Sequence, residues 1–291
     1  MSVSTRPVLG LTVGDPAGIG PEIIAACLAD PELPQTCDYR QIGRTEGHRP
    51  GHPTTDSARA AAEALEEAAA LLAAGDIQGI VTAPVSKKSL HEAAFAYPGQ
   101  TEFFAARSGT QNYAMCLTGG PLTVALVTIH VPLREVPQLL RTGEIVRIGK
   151  LLRDFLRARL GREPRIAVAG LNPHAGEDGQ FGDEEQKIIA PAVVELAEYG
   201  SFTGPLSPDT VFHRAAGGEF DGVLCMYHDQ GLIPLKLLAF DTGVNVTLGL
   251  PFPRTSPDHG TAFDIAGSGR ANHRSMLAAI KLAADLLASR P

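Results

Sequence analysis

The sequence lacks the features of disulfide-stapled, membrane-spanning and nucleic-acid-binding proteins. It has only four cysteines, which are widely spaced and form no CxxC motif, so we interpret them as buried thiols. No apolar run approaches the roughly 18 residues that a membrane-spanning helix needs, and the N-terminal apolar stretch is too short for a signal peptide. A formal charge of -7 disfavours binding to a phosphate backbone. We therefore expect a cytoplasmic protein with no membrane partner and no nucleic-acid partner.

Several common catalytic signatures are also missing. There is no GxGxxG turn, no GxxxxGK[ST] loop and no GxSxG elbow. His91-Glu92 is followed by Phe95 where an HExxH motif needs a second histidine. These absences disfavour a standard dinucleotide-binding Rossmann domain, a P-loop NTPase, a serine hydrolase and a zincin-type protease.

What the sequence does contain is a large apolar fraction, arranged in two alternating kinds of segment. With 44% hydrophobic and 20% charged residues, the chain can bury a substantial core. Short β-branched runs alternate with longer amphipathic stretches rich in Ala, Leu and Glu, which predicts an α/β fold with a mainly parallel sheet. The predicted strands are Val8 to Val13, Gly79 to Val85, Leu122 to Ile129, Arg165 to Leu171, Gly222 to Tyr227 and Val244 to Leu250. The predicted helices are Ser57 to Ala74, Glu144 to Leu160, Glu184 to Tyr199 and Ser275 to Ala288.

The length of 291 residues allows one large domain or two ordinary ones. The Pro-, Gly- and His-rich segment Gln35 to Pro53 is predicted to be a loop, and no clean linker is visible. A two-domain arrangement therefore requires the chain to cross between lobes more than once. We predict a discontinuous first lobe of residues 1–120 with 240–291 and a second lobe of residues 121–239, while the pattern alone leaves one large domain open.

Three of the nine histidines follow predicted strands directly. VALVTIH ends at His130, IAVAGLNPH at His174 and VLCMYH at His228. In a parallel α/β sheet the carboxyl ends of the strands form the edge where ligands bind. Three imidazoles converging there could hold a divalent metal ion and leave positions open for a substrate. The alternative is that each is an isolated loop histidine with its own hydrogen bond.

Polar side chains surround these histidines, and Lys236 is the most informative of them. Lys236 lies eight residues after His228, about two turns along a following helix, where it could contact a substrate anion or carry a proton. An ordinary solvated lysine is the alternative. The other polar neighbours are Asn172, Glu177, Asp229 and Gln230.

A glycine-rich segment, GDPAGIGPE at residues 14–22, follows a predicted strand and opens a helix. Free N–H groups at such a helix start can bind an anion. The spacing is GxxxGxG, which is not the dinucleotide-binding fingerprint. A tight strand-to-helix turn that binds nothing explains the segment equally well.

Six long motifs are spread across most of the chain: GLTVGDPAGIGPEI (10–23), VTAPVSK (81–87), GQTEFFA (99–105), LNPHAGEDGQFGDEE (171–185), GPLSPDTVF (204–212) and the segment 226–272. Together they resemble one family, the 4-hydroxythreonine-4-phosphate dehydrogenases. The segment HGTAFDIAGSGRAN is similar to the cofactor loop of isocitrate and isopropylmalate dehydrogenases, which bind NAD without a standard Rossmann domain. The resemblance implies an isocitrate/isopropylmalate dehydrogenase-like fold, with two α/β lobes and a cleft between them.

The resemblance assigns roles to residues of this chain. It implies that His130, His174 and His228 bind one divalent ion (Zn, Mg, Co or Mn), and that Lys236 and Asp209 are catalytic. It also implies a homodimer whose shared active sites take one histidine from the partner chain. The implied substrate-binding residues are Gln100, Thr101, Lys236, Asn245 and Arg254. The implied NAD or NADP contacts are His259, Gly260, Thr261, Ala262, Asp264, Gly267 and Asn272.

One position departs from the family pattern. Gln100 stands where the family usually has a histidine in its GHTEF motif, so a group that can be cationic beside a phosphate is replaced by a neutral amide. The segment from Thr36 to Asp56 is also short against the family pattern. Both differences bear on which acid is the substrate more than on the type of reaction.

The reaction that the resemblance implies is metal-assisted oxidation of a β-hydroxy acid. The metal lowers the pKa of the substrate hydroxyl, a base takes its proton, hydride passes to NAD or NADP, and the β-keto acid loses CO2. The expected substrate is 4-phosphooxy-L-threonine, in pyridoxal phosphate biosynthesis. One alternative is a same-fold dehydrogenase for a phosphorylated threonate or a carboxylated aromatic cis-dihydrodiol. The other is a non-catalytic homologue that binds a metal or phosphometabolite.

Overall fold

A computed structural model describes residues 6–289 and shows alternating strands and helices. The strands of this described part are β1 (Val8–Thr12), β2 (Asp38–Ile42), β3 (Gly79–Thr82), β4 (Ala114–Gly119), β5 (Leu122–Leu126), β6 (Arg165–Ala169), β7 (Ser201–Leu206), β8 (Gly222–Cys225), β9 (Val244–Leu248) and β10 (Arg254–Pro257). The α-helices are α1 (Gly20–Leu28), α2 (Thr55–Ala74), α3 (Lys87–Glu92), α4 (Gln100–Arg107), α5 (Val136–Leu139), α6 (Thr142–Leu160), α7 (Ala190–Leu196), α8 (Pro208–Ala216), α9 (His228–Ala239) and α10 (Arg274–Ala288). Short 3-10 turns cover Leu133–Glu135 and Pro173–Gly179, and a π-helical turn covers Glu185–Ile189.

The chain divides into two compact units. Unit 1 consists of Met1–Gln111 and Val244–Pro291, and unit 2 consists of Asn112–Gly243. The sequence predicted a second lobe over residues 121–239, whereas unit 2 begins at Asn112 and ends at Gly243.

Unit 1 has its strands in the order β2-β1-β3-β10-β9. All neighbouring pairs are parallel except β10 with β9. Every residue of β3 is buried, as expected for a central parallel strand with helices on both faces. Helix α10 buries an apolar face that includes Met276, Ile280 and Ala283.

Unit 2 has the order β4-β5-β8-β6-β7. Only the β4–β5 pair is antiparallel, so the carboxyl ends of β5, β8 and β6 lie at one edge. Its core joins Val124 and Leu126 of β5 with Val223 of β8 and Leu232 and Leu235 of α9. This packing sets the positions of the loops that leave the three strand ends.

All six predicted strands are present, and three of the four predicted helices are α2, α6 and α10. The fourth, predicted at Glu184 to Tyr199, starts as the π-helical turn and only then becomes α7. The prediction of a loop over Gln35 to Pro53 was wrong in part, because β2 lies inside it. Only Ile42 of β2 is buried, so this edge strand lacks the apolar run that predicts a strand.

Among residues 6–289, no helix combines the length and the apolar character needed to cross a bilayer.

Two long helices end at glycines in the left-handed region, where a residue with a side chain is disfavoured: Gly75 after α2 (φ 77°) and Gly161 after α6 (φ 66°). Helix α2 also begins with a reciprocal pair of hydrogen bonds between Thr54 and Ser57.

Candidate active site

The three histidines singled out in the sequence follow three strands of unit 2. His130 lies four residues after β5, His174 five residues after β6, and His228 is the first residue of α9 after β8. Since β5, β8 and β6 are adjacent and parallel, all three histidines leave the same edge of the sheet. The predicted placement at strand ends is confirmed.

Two of these histidines lie close together within one chain. The ring centroids of His130 and His228 are 5.5 Å apart. The Nδ1 atom of His228 is 2.7 Å from Oδ1 of Asp229, an arrangement that fixes the ring and leaves Nε2 as the atom that would bind a metal. This donor chemistry fits a zinc-type or related divalent ion.

His174 lies apart from that pair and packs against the Phe181 ring at 6.3 Å between centroids. Within the described residues of one chain, no group of three or more His, Cys, Asp and Glu side chains is close enough to hold a metal ion. One chain therefore brings together two of the three predicted ligands.

The backbone around His174 is strained. Five consecutive residues, 174 to 178, have positive φ values of 53°, 53°, 83°, 42° and 53°, and only one of them is glycine. A left-handed conformation costs roughly 1–2 kcal/mol for each residue with a side chain. Such strain persists only where the surroundings enforce it, and it is frequent at functional sites.

The two predicted catalytic residues, Asp209 and Lys236, are also in unit 2. Asp209 lies in the first turn of α8, where the Ser207 hydroxyl donates to it at 2.5 Å. This hydrogen bond lowers the pKa of Asp209, and the charge of His174 lowers it further. Lys236 lies two turns after His228 on α9, as predicted, and is half-buried.

Arg254 is the central polar residue of unit 1. Its side chain is buried, with 3% of the residue exposed, and its guanidinium donates to three threonine hydroxyls. Nη1 donates to Thr101 (3.0 Å) and Thr247 (3.1 Å), and Nη2 donates to Thr82 (2.7 Å). Burial lowers its pKa to about 10, and the charge of Glu102 opposes this shift only in part. A buried cation whose hydrogen bonds all go to neutral hydroxyls is suited to an anionic ligand.

Gln100 and Thr101 stand at the start of α4, beside Arg254. Thr101 accepts from Arg254, and Gln100 Nε2 donates to the Ala83 carbonyl oxygen at 3.3 Å. Gly99 caps this helix without a side chain, which leaves the first N–H groups of α4 available to an anion. Three of the predicted substrate-binding residues, Gln100, Thr101 and Arg254, therefore lie together in unit 1. A fourth, Asn245, lies on β9.

The seven predicted cofactor residues all lie in the segment between β10 and α10. This segment contacts the glycine-rich turn of residues 14–22, because the N–H of Ile19 donates to the Thr261 carbonyl at 3.0 Å. A Cβ on Gly18 would lie 2.9 Å from that oxygen, so only glycine allows the approach. The glycine-rich turn therefore supports the predicted cofactor loop.

Buried polar atoms without a hydrogen-bond partner are concentrated in unit 1. Such atoms are rare in proteins, and a bound ligand is one common reason for them. Among the described residues they belong to Thr12, Asp15, Glu22, His48, Gln100, Asn245, Arg254 and His259.

Sequence reasoning missed Thr82 and Thr247, the hydroxyls that hold Arg254. Both lie inside the motifs that carried the family resemblance. Nothing in the local sequence marks their individual roles, because the contacts join residues as far apart as 82 and 254.

Comparison with solved structures first defines the type of fold. A β-decarboxylating dehydrogenase from Thermococcus kodakarensis superposes with a TM-score of 0.55 at 16% identity, covering 97% of this chain and 84% of that one. The likeness establishes the isocitrate/isopropylmalate dehydrogenase type of fold, as predicted.

Closer relatives define the family. The sequence model of the pyridoxal phosphate biosynthetic protein PdxA matches residues 23–283. The 4-hydroxythreonine-4-phosphate dehydrogenase of Geobacter metallireducens is 46% identical over 326 residues, covering 97% of this chain and 96% of that protein. The crystal structure of the enzyme of that name from Klebsiella pneumoniae gives a TM-score of 0.84 at 40% identity, covering 96% of this chain and 99% of that one. The chain belongs to the PdxA family, which confirms the predicted family and the predicted dehydrogenase class.

Proposed function

We propose that this protein oxidises and decarboxylates 4-phosphooxy-L-threonine with NAD or NADP, as a step of pyridoxal phosphate biosynthesis. The names of its relatives support this reaction, and the observation that carries it is the buried, unpaired guanidinium of Arg254. Arg254, Thr101, Gln100 and the start of α4 would bind the phosphate or carboxylate of the substrate, with Asn245 as a further polar contact. The fork of a guanidinium matches either anion.

The metal-binding residues would be His130, His174 and His228. Imidazole nitrogens are appropriate donors for Zn or Co, and the Asp229 carboxylate supports His228 from behind, whereas Mn or Mg would need further oxygen ligands. A bound divalent ion would supply Lewis-acid chemistry, lowering the pKa of the substrate hydroxyl and polarising the ketone.

The remaining roles fall to Lys236, Asp209 and the cofactor loop. Lys236 is the proposed group that gives or takes a proton, and Asp209 on α8 is a further proposed catalytic residue, whose pKa the hydrogen bond from Ser207 lowers. NAD or NADP would accept the hydride, held by residues 259–272 against the glycine-rich turn.

We also propose that the protein is a homodimer. The short helix α9 and the residue after it expose four large apolar side chains: Ile233 (67%), Leu237 (83%), Leu238 (51%) and Phe240 (78%). A cluster of this kind on one helix is typical of a protein–protein interface. Because α9 starts at His228 and carries Lys236, pairing through this face would place both residues beside the partner.

Metal removal tests the reaction proposal. Formation of NADH or NADPH from 4-phosphooxy-L-threonine is expected to stop after chelation and to return when zinc, cobalt or manganese is added back. His174→Ala is expected to lose this activity in the presence of metal while it keeps the same far-UV circular dichroism. The matched control is His213→Ala, an exposed histidine on α8. Full activity of the chelated His174→Ala protein would contradict the proposed metal site.

A further inference from the structure

Buried polar side chains connect the three strand ends that carry the histidines of unit 2. Three residues form this chain of contacts: Thr128 (8% exposed), Glu185 (3%) and Gln230 (6%). Each bonds to backbone atoms of a segment that leads to a histidine. We call Thr128, Glu185 and Gln230 the polar brace.

Gln230 is the centre of the polar brace. Its Oε1 accepts from the N–H of Met226 at 2.7 Å, and its Nε2 donates to the carbonyl of Gly170 at 2.7 Å. Met226 is two residues before His228, and Gly170 is four residues before His174. One side chain therefore sets the separation between the segments that lead to these two histidines.

The other two members extend the connection. Thr128, two residues before His130, donates from its hydroxyl to the Met226 carbonyl at 2.8 Å. Glu185 Oε1 accepts from the N–H groups of Leu171 and Asn172, both at 2.7 Å. These bonds fix the two residues Leu171 and Asn172, which precede the strained segment 174–178. Glu185 itself begins the π-helical turn, a distortion that is frequent at functional sites.

A role in folding alone does not explain the polar brace well. Burying polar groups contributes little net stability, and apolar side chains of similar size often serve as well in a core. What hydrogen bonds with fixed partners add is a defined separation between backbone segments. The left-handed residues 174–178 need such a fixed attachment, because strain persists only where the surroundings enforce it.

We propose that Gln230 is a positioning residue, which together with Thr128 and Glu185 fixes the three histidine-bearing loops of each protomer in the arrangement that binds metal. This inference rests on the proposed metal site. It assigns the polar brace no contact with substrate or cofactor.

Amide hydrogen exchange on the metal-free full-length protein tests the polar brace by itself. Gln230→Met, which keeps the length but removes both bonds, is expected to speed exchange about tenfold at Met226 and across residues 171–175. Gln230→Glu, which keeps only an acceptor for Met226, is expected to speed exchange at 171–175 and not at Met226. Gln138→Met, at an exposed position on α5, is the matched control. Unchanged exchange in both Gln230 variants would overturn the proposal, and Gln230→Glu keeps the test valid if Gln230→Met does not fold.

Cobalt binding, followed by the visible spectrum of the ion, tests the positioning role. Wild type and Gln138→Met are expected to bind alike, while both Gln230 variants bind about tenfold more weakly when each protein is measured well below its melting temperature. Cobalt affinity equal to wild type in a variant with faster exchange would overturn the positioning role. A wild-type protein that binds no cobalt would overturn the metal site and the brace's role in it, whereas the exchange result would still report whether the brace holds the loops.

Discussion

At the scale of single residues, the substrate site depends on one buried charge and its neutral neighbours. Arg254 keeps its guanidinium in place through hydroxyls of β3, α4 and β9, so none of these hydrogen bonds goes to a carboxylate. Thr82 and Thr101 therefore orient the cation without neutralising it. This arrangement would leave the guanidinium able to bind the anionic group of the proposed substrate.

Gln100 offers the clearest test at this scale. Gln100→His is expected to raise kcat/KM for 4-phosphooxy-L-threonine about fivefold, since a charge-assisted hydrogen bond exceeds a neutral one by about 1 kcal/mol. The gain should appear mainly below about pH 7, where an imidazole is substantially protonated. Steady-state kinetics across this pH range measure it. A loss of activity toward every phosphorylated acid would show that the pocket does not bind phosphate.

The sequence alone could predict some of the candidate residues but not others. The histidines could be predicted because they follow apolar strands directly, and a strand end is visible in the sequence. The role of Arg254 came only from the family resemblance. Its threonine partners could not be predicted, since they approach it only after distant segments of the chain pair in the sheet.

At the scale of strands and helices, a carboxylate fixes the start of β6 beside β8. Asp221 accepts hydrogen bonds from Nη1 and Nη2 of Arg162 (2.9 and 2.6 Å) and from the backbone N–H of Arg165 (2.8 Å). The bond from Arg162 is the main reason that the pKa of Asp221 falls to about 2. The side chain is only 12% exposed, so solvent screens the interaction little.

Asp221→Asn is therefore expected to lower the free energy of unfolding by about 2 kcal/mol at pH 7. A carboxyl with a lowered folded-state pKa stabilises the protein above its ordinary pKa near 3.8, and this contribution is lost as the pH falls toward 2. The difference between variant and wild type should thus shrink between about pH 4 and pH 2. Urea unfolding at several pH values measures it, with Asp154→Asn (68% exposed) as the control. A difference that stays constant down to pH 2 would refute the explanation.

The strands that could be predicted from the sequence are buried strands made mainly of apolar residues. Strands β3 and β5 are buried along their whole length and appear as continuous apolar runs. Strand β10 is also buried, but three of its four residues are polar, and Arg254 and Thr255 form hydrogen bonds with other polar groups. The left-handed turn at His174 had no signal, since positive φ is expected at glycine and four of its five residues have side chains.

At the scale of the whole molecule, the exposed apolar face of α9 predicts self-association. Leu237→Glu is expected to convert a dimer into a monomer in light-scattering measurements, because a buried charge is costly in an apolar interface. Val194→Glu changes an equally exposed apolar residue on α7 (73%) and is expected to leave the dimer intact. Dissociation by both substitutions, or by neither, would exclude a specific interface through α9.

The most direct test of the proposed function is a comparison of substrates. Metal-dependent formation of NADH or NADPH is to be measured with 4-phosphooxy-L-threonine, 4-hydroxy-L-threonine, phosphorylated threonates and a carboxylated aromatic cis-dihydrodiol, using wild type and Arg254→Lys. The highest kcat/KM is expected for 4-phosphooxy-L-threonine. Arg254→Lys should lower it by roughly ten- to a hundredfold, because lysine cannot form the bidentate hydrogen bonds of a guanidinium with the anion. A higher kcat/KM for an unphosphorylated acid, with little effect of Arg254→Lys on the phosphorylated one, would contradict the proposal.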